Sequence, residues 1–250
     1  MSLEILTHDS LLPTKHGFFT RKGGASSGVF AGLNCGQGSS DQADMVHLNR
    51  QRVATAMDLQ VDSLVSVHQC HSADVVLVEN PFDKKPKVDA MVTRTPGLAL
   101  GILTADCQPV LFADREAGVV GAAHAGWQGA LYGVLEATIE AMVDHGAQRN
   151  RITAVIGPCI SQRAYEVGPD FFETFVAEDD RSTQYFANGR GDRLQFDLPG
   201  FGLMRLREAG VAASWTGHCT YTDPDRFFSY RRSVHQKEAD YGRLIACIRL

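Results

Sequence analysis

Short apolar runs separated by turn-forming residues recur along the chain. "SLVSVHQ" (63–69), "ADVVLVE" (73–79), "GLALGILT" (97–104), "PVLFAD" (109–114), "GVVGAAHA" (118–125), "ITAVIG" (152–157) and "RLIACIRL" (243–250) predict strands, being short and rich in Val, Ile and Leu. A second periodicity starts near Trp127: Ala130, Leu131, Val134, Leu135, Thr138, Ile139, Met142 and Val143 recur at i, i+3, i+4 spacing. This predicts one long helix that stops near Gly146, a suitable C′ glycine. A second helix is predicted from about Pro169 to Ala177. A third begins near Asp197, an N-cap followed by Pro199, and ends at Gly210. Between Leu98 and Ala125 strand-like runs follow one another with no helix between them. That excludes a regular βαβ repeat and predicts mixed sheets with helices outside, an α+β fold.

No internal repeat or low-complexity tract divides the chain, so residues 1–250 are read as one domain. "NPFDKKPKVD" (Asn80–Asp89) reads as a charged loop, and "AEDDRSTQYFANGRGDR" (Ala177–Arg193) as a surface excursion. The net charge of −5, with no basic block, argues against nucleic acid as a partner. No basic leader precedes an apolar run, and no stretch reaches the roughly 20 apolar residues that cross a bilayer, so the expectation is a cytoplasmic protein without a membrane partner. The six cysteines are scattered, with no CxxC pair, and read as free thiols.

Candidate chemistry concentrates in "LTADCQPVLFAD" and "GAAHAGWQG". Cys107 lies at the turn between two strand-like runs, and His124 ends the next, so a three-strand meander would bring both to one edge. "SVHQCHSADV" adds His68 and His71, which face opposite sides of a strand unless it breaks there. Three readings stay open on the residues alone. Cys107 and the histidines pack in the core; or Cys107 and His124 form a nucleophile–base dyad, with Asp106 or another carboxylate orienting the imidazole; or Cys107, His124 and His71 hold a metal. A thiolate and two imidazoles suit Zn²⁺ with an open fourth position, and also suit copper. Gly126 and Gly129 open the long helix beside His124, where free N–H groups favour anions, although no P-loop is present. "HGFFTRKGGASSGVFAGLNCG" (His16–Gly36) reads as a glycine-rich loop carrying Arg21, and "FFSYRRS" as an aromatic strand followed by Arg231 and Arg232.

Taken together, "HGFFTRKGGASSGVFAGLN", "QCHSADV", "DAMVT", "TADCQPVLFAD", "GAAHAGWQG", "IGPCI", "YEVG" and "FFSYRR" resemble, in order and over nearly the whole chain, the YfiH-type laccase-domain (polyphenol oxidase) family, now regarded as purine nucleoside phosphorylases. The resemblance implies a metal site of His71, Cys107 and His124 and gives His68 no ligand role. It implies a layered α/β/β/α fold similar to the catalytic domain of cytotoxic necrotizing factors, which use a Cys–His dyad. It implies phosphorolysis of adenosine, inosine and S-methyl-5′-thioadenosine, and deamination of adenosine. It also carries two alternatives, copper-dependent polyphenol oxidation and amide hydrolysis in peptidoglycan precursor editing. The chain departs from the family pattern at Cys70 and Ala164, neither a proposed ligand.

On this reading Zn²⁺, or Cu²⁺, sits on His71, Cys107 and His124, and the small-molecule partners are a purine nucleoside and phosphate. Asp106 or Glu166 shuttles the proton in deamination. Arg21, Arg231 or the helix start after His124 supplies the anion site, and Asn34 hydrogen-bonds the nucleoside.

Overall fold

The computed structural model describes residues 2–250. Among them the strands are β1 (Ile5–Leu6), β2 (Lys15–Phe19), β3 (Leu64–Val65), β4 (Val75–Leu77), β5 (Ala90–Thr93), β6 (Ala99–Thr104), β7 (Gln108–Asp114), β8 (Val119–Ala125), β9 (Thr153–Ile156), β10 (Glu166–Val167), β11 (Phe186–Asn188), β12 (Leu194–Phe196), β13 (Ala212–Trp215) and β14 (Leu244–Arg249). The helices are α1 (Ala43–Ala56), α2 (Trp127–Tyr132), α3 (Val134–Asp144), α4 (Pro169–Glu178), α5 (Leu198–Glu208) and α6 (Tyr230–Gln236). No helix among the described residues is long and apolar enough to cross a membrane.

Two mixed sheets stack face to face. One has the order β1-β2-β14-β6-β3 and the other β13-β9-β7-β8-β5-β4. Strand alternation decides what each face touches. On β7, Leu111 and Ala113 point between the sheets, where they meet Phe18, Leu100, Ile102, Ala246 and Ile248 of the other sheet. Val110 and Phe112 point the opposite way, onto Leu135 and Ile139 of α3 and Phe201 of α5. On the far face of the five-stranded sheet, Val53 and Ala54 of α1 pack with Phe19, Ala99, Ile245 and Cys247. The layers are therefore α/β/β/α, as expected. Burial on both faces explains why "PVLFAD" and "GVVGAAHA" read as continuous apolar runs. Gly121 on β8 permits the close approach of α3, since a Cβ there would lie 3.1 Å from Met142 Sδ and 3.2 Å from Thr138 Cγ2. A third sheet, β10-β12-β11, packs on α4 through an aromatic cluster in which the rings of Phe175 and Phe196 lie 4.6 Å apart.

Several expectations are corrected. The helix predicted from Trp127 to Gly146 is two helices, because Gly133 takes a left-handed conformation (φ 95°) between α2 and α3. The apolar phase continues across the break, so periodicity alone does not reveal it. "FFSYRRS" is not a strand: Ser229 caps α6 by accepting from the Arg232 N–H, and Arg231 and Arg232 lie in its first turn. The stretch from His16 is not all loop, since Lys15–Phe19 is β2 and pairs with β14. The excursion of residues 177–193 contains β11. The strands before and after Cys107 do not form a meander: β6 belongs to one sheet and β7 to the other.

Candidate metal centre

That change of sheet builds the site. The chain leaves β6 at Thr104 and enters β7 at Gln108, so "ADC" is the crossover between stacked sheets. The turn needs Asp106 in the left-handed region, at φ 85°. His71 sits in the loop before β4, also left-handed, at φ 64°. Both are non-glycine residues in a sparsely occupied backbone region, which persists only where the surroundings hold it. His124 is the next-to-last residue of β8, on the inter-sheet face and opposite Pro109 in register. One ligand atom from each of His71, Cys107 and His124 lies within 4.8 Å of the others. His71 Nε2 is 3.9 Å from Cys107 Sγ, and the two imidazole rings meet edge to face with centroids 4.8 Å apart.

Asp89 ties His71 and His124 together. It is fully buried. Its Oδ1 lies 2.7 Å from His124 Nδ1, which leaves Nε2 of that ring for the cluster. Its Oδ2 accepts the N–H groups of Cys70 (3.0 Å) and Ser72 (2.7 Å), the residues on either side of His71, and the Ser72 hydroxyl (3.0 Å). Its carbonyl accepts the His124 N–H. The Gln69 amide adds a second clamp, bonding both the N–H and the carbonyl of Leu103 on β6. A carboxylate on the far nitrogen of a ligand histidine fixes its tautomer and raises its basicity. Sequence reasoning missed Asp89. Its signal was the acidic residue directly before the buried strand in "DAMVT".

The electrostatics follow from this packing. Burial alone would raise the Cys107 thiol, but the His124 imidazole, with His71, outweighs it and holds the thiol at about 6. Burial alone would lower His124, but the Cys107 thiolate and Asp89 raise it to about 9. Burial opposes ionisation of Asp89, yet the hydrogen bonds from His124 and from the Ser72 and Cys70 N–H groups hold its carboxyl well below the usual range. A ready thiolate is what a metal ligand requires. Space is also reserved: a Cβ on Gly126 would lie 2.8 Å from His71 Cδ2 and 3.1 Å from Cys107 Sγ, filling the cradle between them. The donor set and this cradle fit a metal with three protein ligands.

The cluster opens on two sides. A cleft of about 650 Å³ is walled by Trp127, Tyr165, Phe171 and Tyr230, with Glu166 and Arg231 at its edge. A second recess of about 410 Å³ shares His71, Ala105 and Cys107 with the cleft and includes His68 and Lys85. Glu166 and Arg231 thus line the cleft, and Arg231 donates to the Glu166 carbonyl at 2.6 Å.

Other expected residues are placed elsewhere. Arg21 spends its guanidinium on the carbonyls of Ala31 and Pro224 and lies over the Phe228 ring, away from both cavities. Asn34 is fully buried; it accepts the N–H groups of Gly36 and Arg243 and donates to Ser39 and Asp41. Asp106 borders the cleft, but its carboxylate accepts from Thr220 (2.6 Å), Ser229 (2.9 Å) and the Arg231 N–H (2.7 Å). The carboxylate that orients His124 is therefore Asp89, not Asp106. Burial pushes the Asp106 carboxyl up against the pull of those three bonds. The helix start after His124 belongs to α2, only six residues long, and its Gly126 faces the cluster.

The family model described as multi-copper polyphenol oxidoreductase laccase matches residues 15–250. A Deinococcus radiodurans protein named purine nucleoside phosphorylase is 41% identical over 240 residues, 96% of this chain and 90% of its own. The Escherichia coli purine nucleoside phosphorylase YfiH is 40% identical over 85% of this chain and 86% of its own. Among solved structures, a Neisseria meningitidis protein superposes with a TM-score of 0.89 at 33% identity, covering 100% of this chain and 99% of its own. The chain belongs to the laccase-like YfiH family.

Proposed function

We propose that this chain is a purine nucleoside phosphorylase acting on adenosine, inosine and S-methyl-5′-thioadenosine, that it also deaminates adenosine, and that His71, Cys107 and His124 hold zinc. The observation that carries the reading is the opening of this cluster onto an aromatic-walled cleft. Trp127, Tyr165, Phe171 and Tyr230 offer flat apolar surface on which a purine can stack. The names of the relatives at about 40% identity, purine nucleoside phosphorylase, support a purine nucleoside as the substrate class.

A zinc ion held by His71, Cys107 and His124 would supply Lewis acidity. The remaining tasks belong to the chain. Asp89 holds His124 in one tautomer and fixes the loop of His71. Asp106 positions α6 by accepting the Arg231 N–H, and so sets where Arg231 stands. Glu166, exposed at the cleft, is the carboxylate free to move a proton between water and the base during deamination. The six free cysteines suit a reducing compartment, and we assign the activity to the cytoplasm. Cys107→Ala should abolish both metal binding and nucleoside turnover; a variant that kept both would refute the assignment.

One geometric relationship favours a second reading. Cys107, His124 and Asp89 stand in the order of a nucleophile, its base and an orienting carboxylate. That order suits a cysteine hydrolase acting on amides. A covalent Cys107 adduct formed by substrate on metal-free protein would establish it. The family description keeps a copper oxidase in view, and intense visible absorption with phenol turnover on adding Cu²⁺ would identify that.

A further inference from the structure

We infer that the recess that shares His71, Ala105 and Cys107 with the aromatic cleft is an anion subsite, and that it takes inorganic phosphate. The inference rests on the phosphorylase reading and gives that reaction its second substrate. The two cavities meet at His71, Ala105 and Cys107. Their linings differ in charge. Asp106 and Glu166 border the aromatic cleft, whereas no acidic residue lines the recess, which is flanked by Lys85, Arg243 and His68.

Two of the nearby cations lack an anion. Lys85 donates to the Gln37 amide oxygen and makes no ion pair with any described carboxylate. Arg50 is 4% exposed and stands in an adjoining recess of about 190 Å³ that shares Lys85 and Gln37 as a wall and includes Asp62, with which Arg50 makes no ion pair. Arg50 Nη2 donates to the Leu64 carbonyl and the Ser66 hydroxyl, both at 3.2 Å, while its buried Nη1 has no partner. A buried guanidinium without a paired carboxylate is costly, and a dianion held at Lys85, on the wall the two recesses share, lessens that cost through space. Arg243 is different: Asp240 already pairs with it at 3.1 Å, and it closes the rim.

With the nucleoside in the aromatic cleft and phosphate in the recess, the reacting groups converge over the shared wall. A phosphate oxygen forms the bond to the anomeric carbon C1′. The C1′–N9 bond breaks, and its electron pair goes to the purine. The hydroxyl proton of the incoming hydrogen phosphate ends on the purine nitrogen, which leaves ribose 1-phosphate and the free base with atoms and charge balanced.

Lys85 is itself exposed in the loop before β5, so Lys85→Gln should fold as the parent; Arg50→Gln is the second variant, with its thermal unfolding recorded. The expected result is phosphorolysis in which Lys85→Gln raises the phosphate KM about tenfold or more and leaves the nucleoside KM unchanged. Parental phosphate KM in both variants would overturn the subsite and leave the phosphorylase reading standing. If the parent protein shows no phosphorolysis, that reading fails, and calorimetric titration with inorganic phosphate decides the subsite separately. Saturable binding that Lys85→Gln removes upholds it, and no binding overturns it. Binding of adenosine 5′-monophosphate without binding of inorganic phosphate would assign the recess to a nucleotide and overturn the co-substrate role.

Discussion

Asp89 holds His124 through Oδ1 and the backbone on both sides of His71 through Oδ2, so one buried carboxylate sets two of the three cluster residues. Asp89→Asn replaces one acceptor oxygen by an amino group that faces donors. Metal affinity should fall roughly 10- to 100-fold, measured by competition with a chromophoric chelator. Parental affinity in this variant would mean that the cluster is organised without Asp89.

Gly126 supplies space at the cluster. Its φ is ordinary, −65°, so alanine adds no backbone strain and acts only through its methyl group, which would meet the His71 ring and Cys107 Sγ. Gly126→Ala should lower metal content and turnover sharply, while circular dichroism stays that of the parent. Full metal occupancy would show that the His71 loop yields more easily than its anchors imply.

Cys107 should be shielded from alkylation by zinc and exposed by chelation. The test belongs in a Cys70→Ser background, because Cys70 is exposed beside His71. Mass spectrometry should find Cys107 modified only after metal removal. Equal modification with and without zinc would exclude the thiol as a ligand.

A pH dependence unrelated to the site comes from Asp114 at the end of β7. It is fully buried; burial would raise its carboxyl, but the N–H groups of Gln148 and Ala117 and the Arg151 guanidinium hold it below the ordinary range. A depressed folded value stabilises the protein above the unfolded value, about 3.9, and that stability is lost as pH falls through the folded value. Asp114→Asn should cost about 1.5–3 kcal/mol near neutral pH, and the gap to the parent should narrow in acid. A gap that stays constant from neutral pH into acid contradicts the assignment.

The three cluster residues were legible because each lies in a distinctive motif, and the mixed sheets with helices outside because buried strands read as unbroken apolar runs; the four-layer order came from the family resemblance. Asp89 was not assigned a role. Its partners, Cys70, Ser72 and His124, come from two separate segments, and in sequence it only closes a charged loop. The β6–β7 turn looked like a hairpin because three residues suffice to pass between stacked sheets as well as between paired strands. Arg21 and Asn34 looked free for substrate, yet their polar groups satisfy carbonyls and N–H groups of the glycine-rich segment and its neighbours. Residue type alone does not separate that use from ligand binding.

The central claim is tested most directly by incubating metal-quantified protein with adenosine, with and without phosphate, and separating the products. The account predicts adenine and ribose 1-phosphate only when phosphate is present, with inosine forming in either case. Intact adenosine in the presence of fully metal-loaded protein would contradict it.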